Sequence, residues 1–307
     1  MYKILISPPT YGRNEPEAEI LLGKHCEILK NLYGRKLTEL ELIELAEDCD
    51  AIIAGTEMIT GETLNKLSRL KVISRYGAGI DNVDIKAADQ LGVKVYRTPD
   101  APARAVAELA VCLIIDAARH TSVMHAEMKN NVWNKYTGFL LEGKNVGIIG
   151  LGRIGQKVAE LLSPFEVNIR YYDIERKESP YIFEPSLNAL LTWAHIITLH
   201  CNPPEDGSPL FGQDQLAMLK NDAVLVNTAR GSLIDEDALC EALLAKPDMT
   251  AALDVYRDEP YNGRLREFPN VIMTPHIASA ARETRELMDM EAALNCLDGL
   301  GIGLDDC

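Results

Sequence analysis

Three short stretches late in the chain hold residue types that work together in chemistry. NTARGSLID (227–235) carries Arg230, LDVYRDEP (253–260) carries Asp254 and Glu259, and TPHIAS (274–279) carries His276. An arginine can clamp a carboxylate through two parallel hydrogen bonds. An imidazole ordinarily titrates near ~6.5, so it can pass a proton at neutral pH, and an adjacent carboxylate orients the ring and favours its charged form. Together the three would hold an acid by its carboxylate, polarise the neighbouring carbonyl and protonate its oxygen. Each alone has a plainer reading: Arg230 as a surface or capping group, Glu259 as part of a turn with Pro260, His276 as a loop histidine after Pro275.

A complete G-x-G-x-x-G, GLGRIG at 150–155, raises the joint reading. It follows an apolar run (Val146, Ile148, Ile149) and opens a helical stretch (156–162), the context a dinucleotide fingerprint requires. Gly150 permits the tight turn, Gly152 lets the backbone approach a pyrophosphate, and Gly155 lets helix and strand pack closely. Amides at the helix N-terminus then face the anion. Asp173 ends the next apolar run. A carboxylate there accepts the adenosine-ribose hydroxyls and repels a 2′-phosphate, so NAD is the expected cofactor. Arg176 and Lys177, close behind, are the groups that would admit NADP. Behind such a fingerprint, Arg230, Glu259 and His276 match hydride transfer to a 2-oxo acid.

Those residues must be positioned by strands whose carboxyl ends meet at one edge. Apolar runs alternate with helix-period segments: KILIS (3–7), CEIL (26–29), DAIIAG (50–55), KVISR (71–75) and VKVY (93–96) form one set. KNVGIIG (144–150), NIRYYD (168–173), HIITLH (195–200), AVLVNT (223–228), TAALDV (250–255) and VIMT (271–274) form a second. Alternation of this kind argues for parallel sheets built from βαβ units. Residues 38–48 read as a helix with a stripe of Leu40, Leu42, Ile43, Leu45 and Ala46. Residues 99–120 and 278–300 read as long helices crossing between two lobes, the first capped by Asp100 with Pro102 in its first turn. The expected fold is α/β with two doubly wound domains, a flavodoxin-like substrate domain (1–98 plus 277–307) and a Rossmann NAD-binding domain (99–276), with a cleft between them.

The bulk composition excludes several classes. The 307 residues carry a formal net charge of -15, which opposes non-specific attraction to nucleic acid or an anionic membrane. The longest apolar stretch, 105–115, is interrupted by Glu108 and falls short of the ~20 residues of a spanning helix. Seven scattered cysteines without a C-x-x-C pair fit a reduced, cytoplasmic protein, and no metal site is expected.

With these motifs in order, the chain resembles the NAD-dependent D-isomer-specific 2-hydroxyacid dehydrogenases, in particular phosphoglycerate dehydrogenase-like members. The resemblance runs through NLYGRKLTELEL, VISRYGAGIDNVDI, RTPDAPARAVAELAV, LEGKNVGIIGLGRIGQKVAELL, VLVNTARGSLIDEDAL, LDVYRDEP and TPHIAS. It implies a catalytic triad of Arg230, Glu259 and His276, the pyrophosphate on Arg153 and Ile154, the ribose on Asp173 and the nicotinamide end near Asp254. It also implies that His200, Cys201 and Asn202, and Thr228, Ala229 and Arg230, line the cofactor, with His276 beside it. A homodimer joined through the nucleotide-binding domains, with lobes closing on substrate, is implied as well.

The chain departs from that pattern where substrate is read. The loop AGTEMIT (54–60) offers Ala54 and Glu57 where phosphoglycerate-oxidising members place a basic residue, and the usual T-P-G becomes Thr98-Pro99-Asp100. The chain stops at Cys307, so feedback control through an appended regulatory domain is not expected. Arg75 and Arg104 are candidates for a second anionic group on the substrate, a phosphate or phosphonate; capping, or an Arg104–Glu108 pair, is the alternative. RYGAGIDN (75–82) looks like a broken fingerprint, with Asn82 in place of the third glycine. It reads better as a substrate loop, Arg75, Tyr76, Gly77, Ala78 and Gly79, whose bare amides at 77–79 hold the substrate's carboxylate as a backbone nest does. Competing functions are a hydroxypyruvate or glyoxylate reductase, an NAD-sensing corepressor-like binding protein and a formate-oxidising relative.

Overall fold

The computed structural model describes residues 1–13 and 16–303. They divide into two compact units, Met1–Pro102 with the chain from Ser279 onward, and Ala103–Ala278. In the first unit β1 (Tyr2–Ile6), β2 (Cys26–Lys30), β3 (Ala51–Ala54), β4 (Val72–Arg75) and β5 (Lys94–Arg97) lie parallel in the order β2-β1-β3-β4-β5. This is the flavodoxin-like order, with its switch point between β1 and β3. The connections are α1 (Glu17–His25), α2 (Glu39–Ala46), α3 (Gly61–Lys66) and α4 (Ile85–Leu91).

Both faces of this sheet are covered, which is why its central strands read as unbroken apolar runs. Ile4, Ile53 and Val72 pack with Leu22 of α1, while Leu5, Ile52 and Ile73 pack with Leu42 of α2 and Leu64 of α3. A capping box starts α2: Thr38 accepts from the Glu41 N–H and the Glu41 carboxylate accepts from the Thr38 N–H at 2.9 Å. Such a cap contributes about 1 kcal/mol. The buried stripe of α2 is narrower than its sequence suggests, because Leu40 is 76% exposed.

The second unit runs along α5 (Pro102–Arg119) and α6 (Thr121–Lys129), parted by His120 at φ +53°. The helix begins at Pro102, so Ala101, not Asp100, stands immediately before it. The strands β6 (Asn145–Ile149), β7 (Asn168–Tyr172), β8 (Ile182–Phe183), β9 (Ile196–Leu199), β10 (Val224–Asn227), β11 (Thr250–Leu253) and β12 (Val271–Met273) follow. Their order is β12-β11-β10-β9-β6-β7-β8, all parallel, with α7 (Arg153–Leu162), α8 (Leu187–Trp193), α9 (Gln213–Met218) and α10 (Glu236–Ala245) between them. This is the dinucleotide-binding arrangement. Alternate residues serve opposite faces: Ile148, Val224 and Val226 pack with Val158 and Leu162 of α7, and Ile149, Leu225 and Leu253 with Leu190 of α8 and Leu239 of α10.

The last helix, α11 (Arg282–Gly299), starts four residues later than expected and returns to the first unit, where Met288 and Ala292 pack with Ile4 and Ile53. Among the described residues no helix is long and apolar enough to cross a membrane, and no group of three or more His, Cys, Asp or Glu could hold a metal ion. The described cysteines are free; Cys307 lies outside the described residues.

Candidate active site

Apart from Arg104, which lies in α5, every candidate residue of the second unit stands at or just past the carboxyl end of a strand. Across the sheet they run from Asp173 after β7 and Gly150–Gly155 after β6, through His200–Asn202 after β9 and Thr228–Arg230 after β10, to Asp254 and Glu259 after β11 and His276 after β12. Parallel register keeps the ends level, since Asn227 pairs with Leu199 and Leu253, and Leu253 with Met273. The strand order thus separates the glycine-rich turn and Asp173 at one end from Glu259 and His276 at the other.

The glycines of the fingerprint do different jobs. Gly150 turns at φ +90° with its Cα against His200, where a Cβ would lie 2.6 Å from the backbone carbonyl oxygen. A Cβ on Gly155 would lie 2.1 Å from the Gly150 carbonyl oxygen, whereas one on Gly152 would meet nothing within 4 Å. Gly152 is the N-cap of α7, with no side chain over the first amides of the helix. Arg153 is exposed and Ile154 half-buried on that first turn. Asp173 is tied into the loop, its Oδ2 accepting from the Leu151 N–H at 2.8 Å.

A contrast between two variants tests this division. Gly155→Ala is expected to cost about 1–3 kcal/mol of stability through overpacking. Gly152→Ala should leave the melting temperature within about 2 °C, since one such cap change is worth only tenths of a kcal/mol to about 1. It should nevertheless weaken NADH binding at least ~10-fold, read by fluorescence titration. Equal stability losses in both would contradict the assignment.

Two buried polar atoms at the next strand ends lack protein partners, the Nδ1 of His200 and the hydroxyl of Thr228. They follow residues that pair across β9 and β10, and buried polar groups are rarely left so unless they meet a ligand or water. With the open Gly152 cradle, these residues fit a dinucleotide. His200 Nε2 lies 2.8 Å from the Thr198 hydroxyl, and burial drives the imidazole pKa down to about 3, so the ring is neutral. Burial pushes the neighbouring Cys201 thiol up to about 11, which leaves it protonated; Asn202 is exposed and Ala229 half-buried.

The neutral His200 has a stability consequence. Below ~6.5 the unfolded chain takes up a proton that the folded chain refuses until pH falls to about 3. Its contribution is therefore complete above ~6.5 and declines by roughly 1.4 kcal/mol per pH unit below it. Thermal melts from pH 6.5 to 5 should show a steeper fall for the wild type than for His200→Asn; parallel curves would contradict a buried neutral ring.

At the other end, His276 and Glu259 are in direct contact, with Nδ1 2.7 Å from Oε2. The other oxygen, Oε1, accepts from the Tyr256 N–H at 3.2 Å, so the carboxylate is held on both sides. A carboxylate only accepts, which makes Nδ1 the donor and leaves Nε2 for a reacting group. Arg230 stands on an extended residue after β10, ahead of the short turn Gly231–Leu233. The Asn227 amide donates to its carbonyl at 2.8 Å, and its own Nη1 donates to the Ala229 carbonyl at 2.7 Å. Gly231 is pressed on the Tyr256 backbone, where a Cβ would come within 1.9 Å, so the arginine's loop rests on the loop that holds Glu259.

Within the first unit the substrate loop differs from expectation. The Gly77 N–H, at a residue with φ +147°, donates to the Thr98 hydroxyl at 2.9 Å, so Ala78 and Gly79, not all three residues, are left with amides unengaged among the described residues. Arg75 is buried: its Nε donates to Asn82 Oδ1 at 3.1 Å and its Nη1 to the Tyr76 carbonyl. Asn82, standing where a third glycine would, also donates to the carbonyls of Gly55 at 3.2 Å and Glu57 at 2.7 Å, bracing this loop on the one after β3. Glu57 is itself buried, accepting from the Gly55 N–H at 2.8 Å and from the Ser7 hydroxyl. In the second unit Arg104 is exposed and paired with Glu108 at 2.6 Å, the alternative its spacing allowed.

A family model described as D-isomer specific 2-hydroxyacid dehydrogenase, NAD binding domain, matches residues 111–278. The chain belongs to the D-isomer-specific 2-hydroxyacid dehydrogenases. It is 37% identical over 302 residues to a D-3-phosphoglycerate dehydrogenase of Methanocaldococcus jannaschii, covering 93% of this chain but 55% of that protein. It is 38% identical to a glyoxylate reductase of Thermofilum pendens, covering 84% of this chain and 80% of that one. The TT0316 protein of Thermus thermophilus shares the fold with a TM-score of 0.89 at 33% identity, over 97% of both chains. The cofactor of this 2-hydroxyacid dehydrogenase is NAD, in keeping with Asp173 and the open Gly152 cradle. Sequence reasoning missed the groups that hold its site residues: Asn227 beneath Arg230, the Tyr256 amide behind Glu259, and Thr98 and Asn82 around the 77–79 loop.

Proposed function

We propose that the chain is an NADH-dependent reductase that converts a small, unphosphorylated 2-oxo acid to the D-2-hydroxy acid, and catalyses the reverse oxidation with NAD. The observation that carries this reading is the His276–Glu259 pair at 2.7 Å, one loop from Arg230. When bound, the nicotinamide supplies the hydride to the substrate's C2 carbon. Arg230 grips the carboxylate and draws electron density from the carbonyl. His276 gives the proton to the carbonyl oxygen from Nε2, and Glu259 keeps the ring oriented and stabilises its positive charge. In the oxidation His276 takes the proton back.

Charge supports this choice of substrate class. Buried Glu57 occupies the loop where a phosphate would need a cation, Arg75 is turned into its own loop, and Arg104 is engaged by Glu108. Glyoxylate and hydroxypyruvate fit better than a phosphorylated acid. A phosphorylated substrate has one observation in its favour: the half-buried Arg285 guanidinium lies over the Tyr76 ring, 5.4 Å from its centre. NADH consumption with glyoxylate, hydroxypyruvate, phosphohydroxypyruvate, phosphonopyruvate, pyruvate and 2-oxoglutarate decides. We expect kcat/KM to favour an unphosphorylated acid by at least ~10-fold; a preference for phosphohydroxypyruvate would replace this reading with the phosphorylated one.

The second unit also supports a homodimer. α6 has no buried residue, and Met128, Trp133, Tyr136 and Leu140 are 51%, 75%, 44% and 68% exposed, an apolar surface suited to a second copy. The reduced cysteines fit a cytoplasmic location.

A further inference from the structure

Asp254, the residue just past β11, has 0% exposure, although a carboxylate so placed loses its hydration. Both its oxygens are spent on one neighbouring segment. Oδ1 accepts from the Thr274 hydroxyl at 2.5 Å and from the Ile277 N–H at 2.9 Å, and Oδ2 accepts from the Ala278 N–H at 2.9 Å. The backbone joins in, the His276 N–H donating to the Asp254 carbonyl at 2.9 Å. That segment, 274–278, carries the proton donor.

The same segment is strained where the chemistry sits. His276 has φ +52°, a left-handed conformation that is unfavourable for a residue with a side chain. Successive amides around a left-handed residue form a concave nest that receives anions. Here the nest is filled from within by Asp254. Burial raises the Asp254 carboxyl above the usual carboxylate range, while the donors of Thr274, Ile277 and Ala278 and the charge of His276 pull the other way.

We propose that Asp254 is a positioning residue for the proton donor: its carboxylate clamps the 274–278 loop so that His276 is held left-handed with Nδ1 on Glu259 and Nε2 turned to the substrate. The proposal rests on the dehydrogenase reading of the site, and goes beyond the nicotinamide contact that family resemblance implies for Asp254. A group whose oxygens are committed to Thr274, Ile277 and Ala278 acts on catalysis through the loop, not chiefly through cofactor affinity.

Thr274→Val removes one donor to the clamp and leaves Asp254 itself in place, while Asp254→Asn puts an amide against a backbone N–H. In the full chain, three readouts are compared: kcat with the preferred 2-oxo acid, NADH Kd by fluorescence titration, and the His276 Nδ1–H resonance in the ligand-free protein. We expect kcat to fall about 10-fold in Thr274→Val and about 100-fold in Asp254→Asn, NADH Kd to stay within ~3-fold, and the Nδ1–H resonance to shift or broaden. Weakened NADH binding with unchanged kcat and an unchanged resonance would overturn the clamp. Should Asp254→Asn fail to fold, Thr274→Val alone decides. If the wild type turns over no 2-oxo acid, the functional reading fails separately and the imidazole resonance still decides the clamp.

Discussion

Replacing His276 by asparagine is expected to lower kcat for 2-oxo acid reduction by about 10²- to 10⁴-fold, with NADH Kd changed by less than ~3-fold. The Oε1 of Glu259 is fixed by the Tyr256 N–H, and its Oε2 accepts the Nδ1 hydrogen bond of His276. The pair therefore dictates which nitrogen faces the reaction. Asparagine keeps a polar contact with Glu259 but has no group that releases a proton near neutral pH, so only the proton-transfer contribution is removed. Stopped-flow single turnovers separate this step from product release; a variant with wild-type single-turnover rates would remove His276 from the role.

The second large effect is at Arg230. Arg230→Gln should reduce kcat/KM by about 10²- to 10³-fold, roughly 3–4 kcal/mol, the scale of losing charge-assisted hydrogen bonds to a carboxylate. Arg230→Lys should recover only part of it, because an ammonium supplies charge without the planar fork. The loop geometry argues against a collapse of the fold as the cause. Asn227 holds the Arg230 carbonyl and Gly231 seats the turn on Tyr256, two contacts made by the backbone and not by the guanidinium. Unchanged thermal melts alongside the kinetic loss would support this; a lysine variant with full activity would show that two-pronged recognition is not needed.

Much of the architecture was readable because parallel sheets with both faces covered turn strands into continuous apolar runs. β8 was not, since two residues with Ile182 60% exposed make no run. Arg230, Glu259 and His276 stood out as candidates because each follows a strand, and because histidine is sparse, with 6 in the chain. Their supports were hidden for a physical reason: the Tyr256, Ile277 and Ala278 amides act as backbone donors, and a backbone N–H leaves no mark in residue identity. The amides of 77–79 show the converse error, where glycines suggested three bare donors and the Thr98 hydroxyl, some twenty positions on, had taken one. Arg104 and Arg75 were candidates by charge alone, and the positions of Glu108 and Asn82 decide what those charges do.

The proposed reaction moves a hydride between NADH and a 2-oxo acid with D stereochemistry. Incubating the chain with NADH and hydroxypyruvate, then resolving the glycerate formed on a chiral column, tests it most directly. We expect one NADH consumed per glycerate, all of it the D isomer. L-glycerate, or no NADH consumption with hydroxypyruvate or any other acid of the panel, would contradict it.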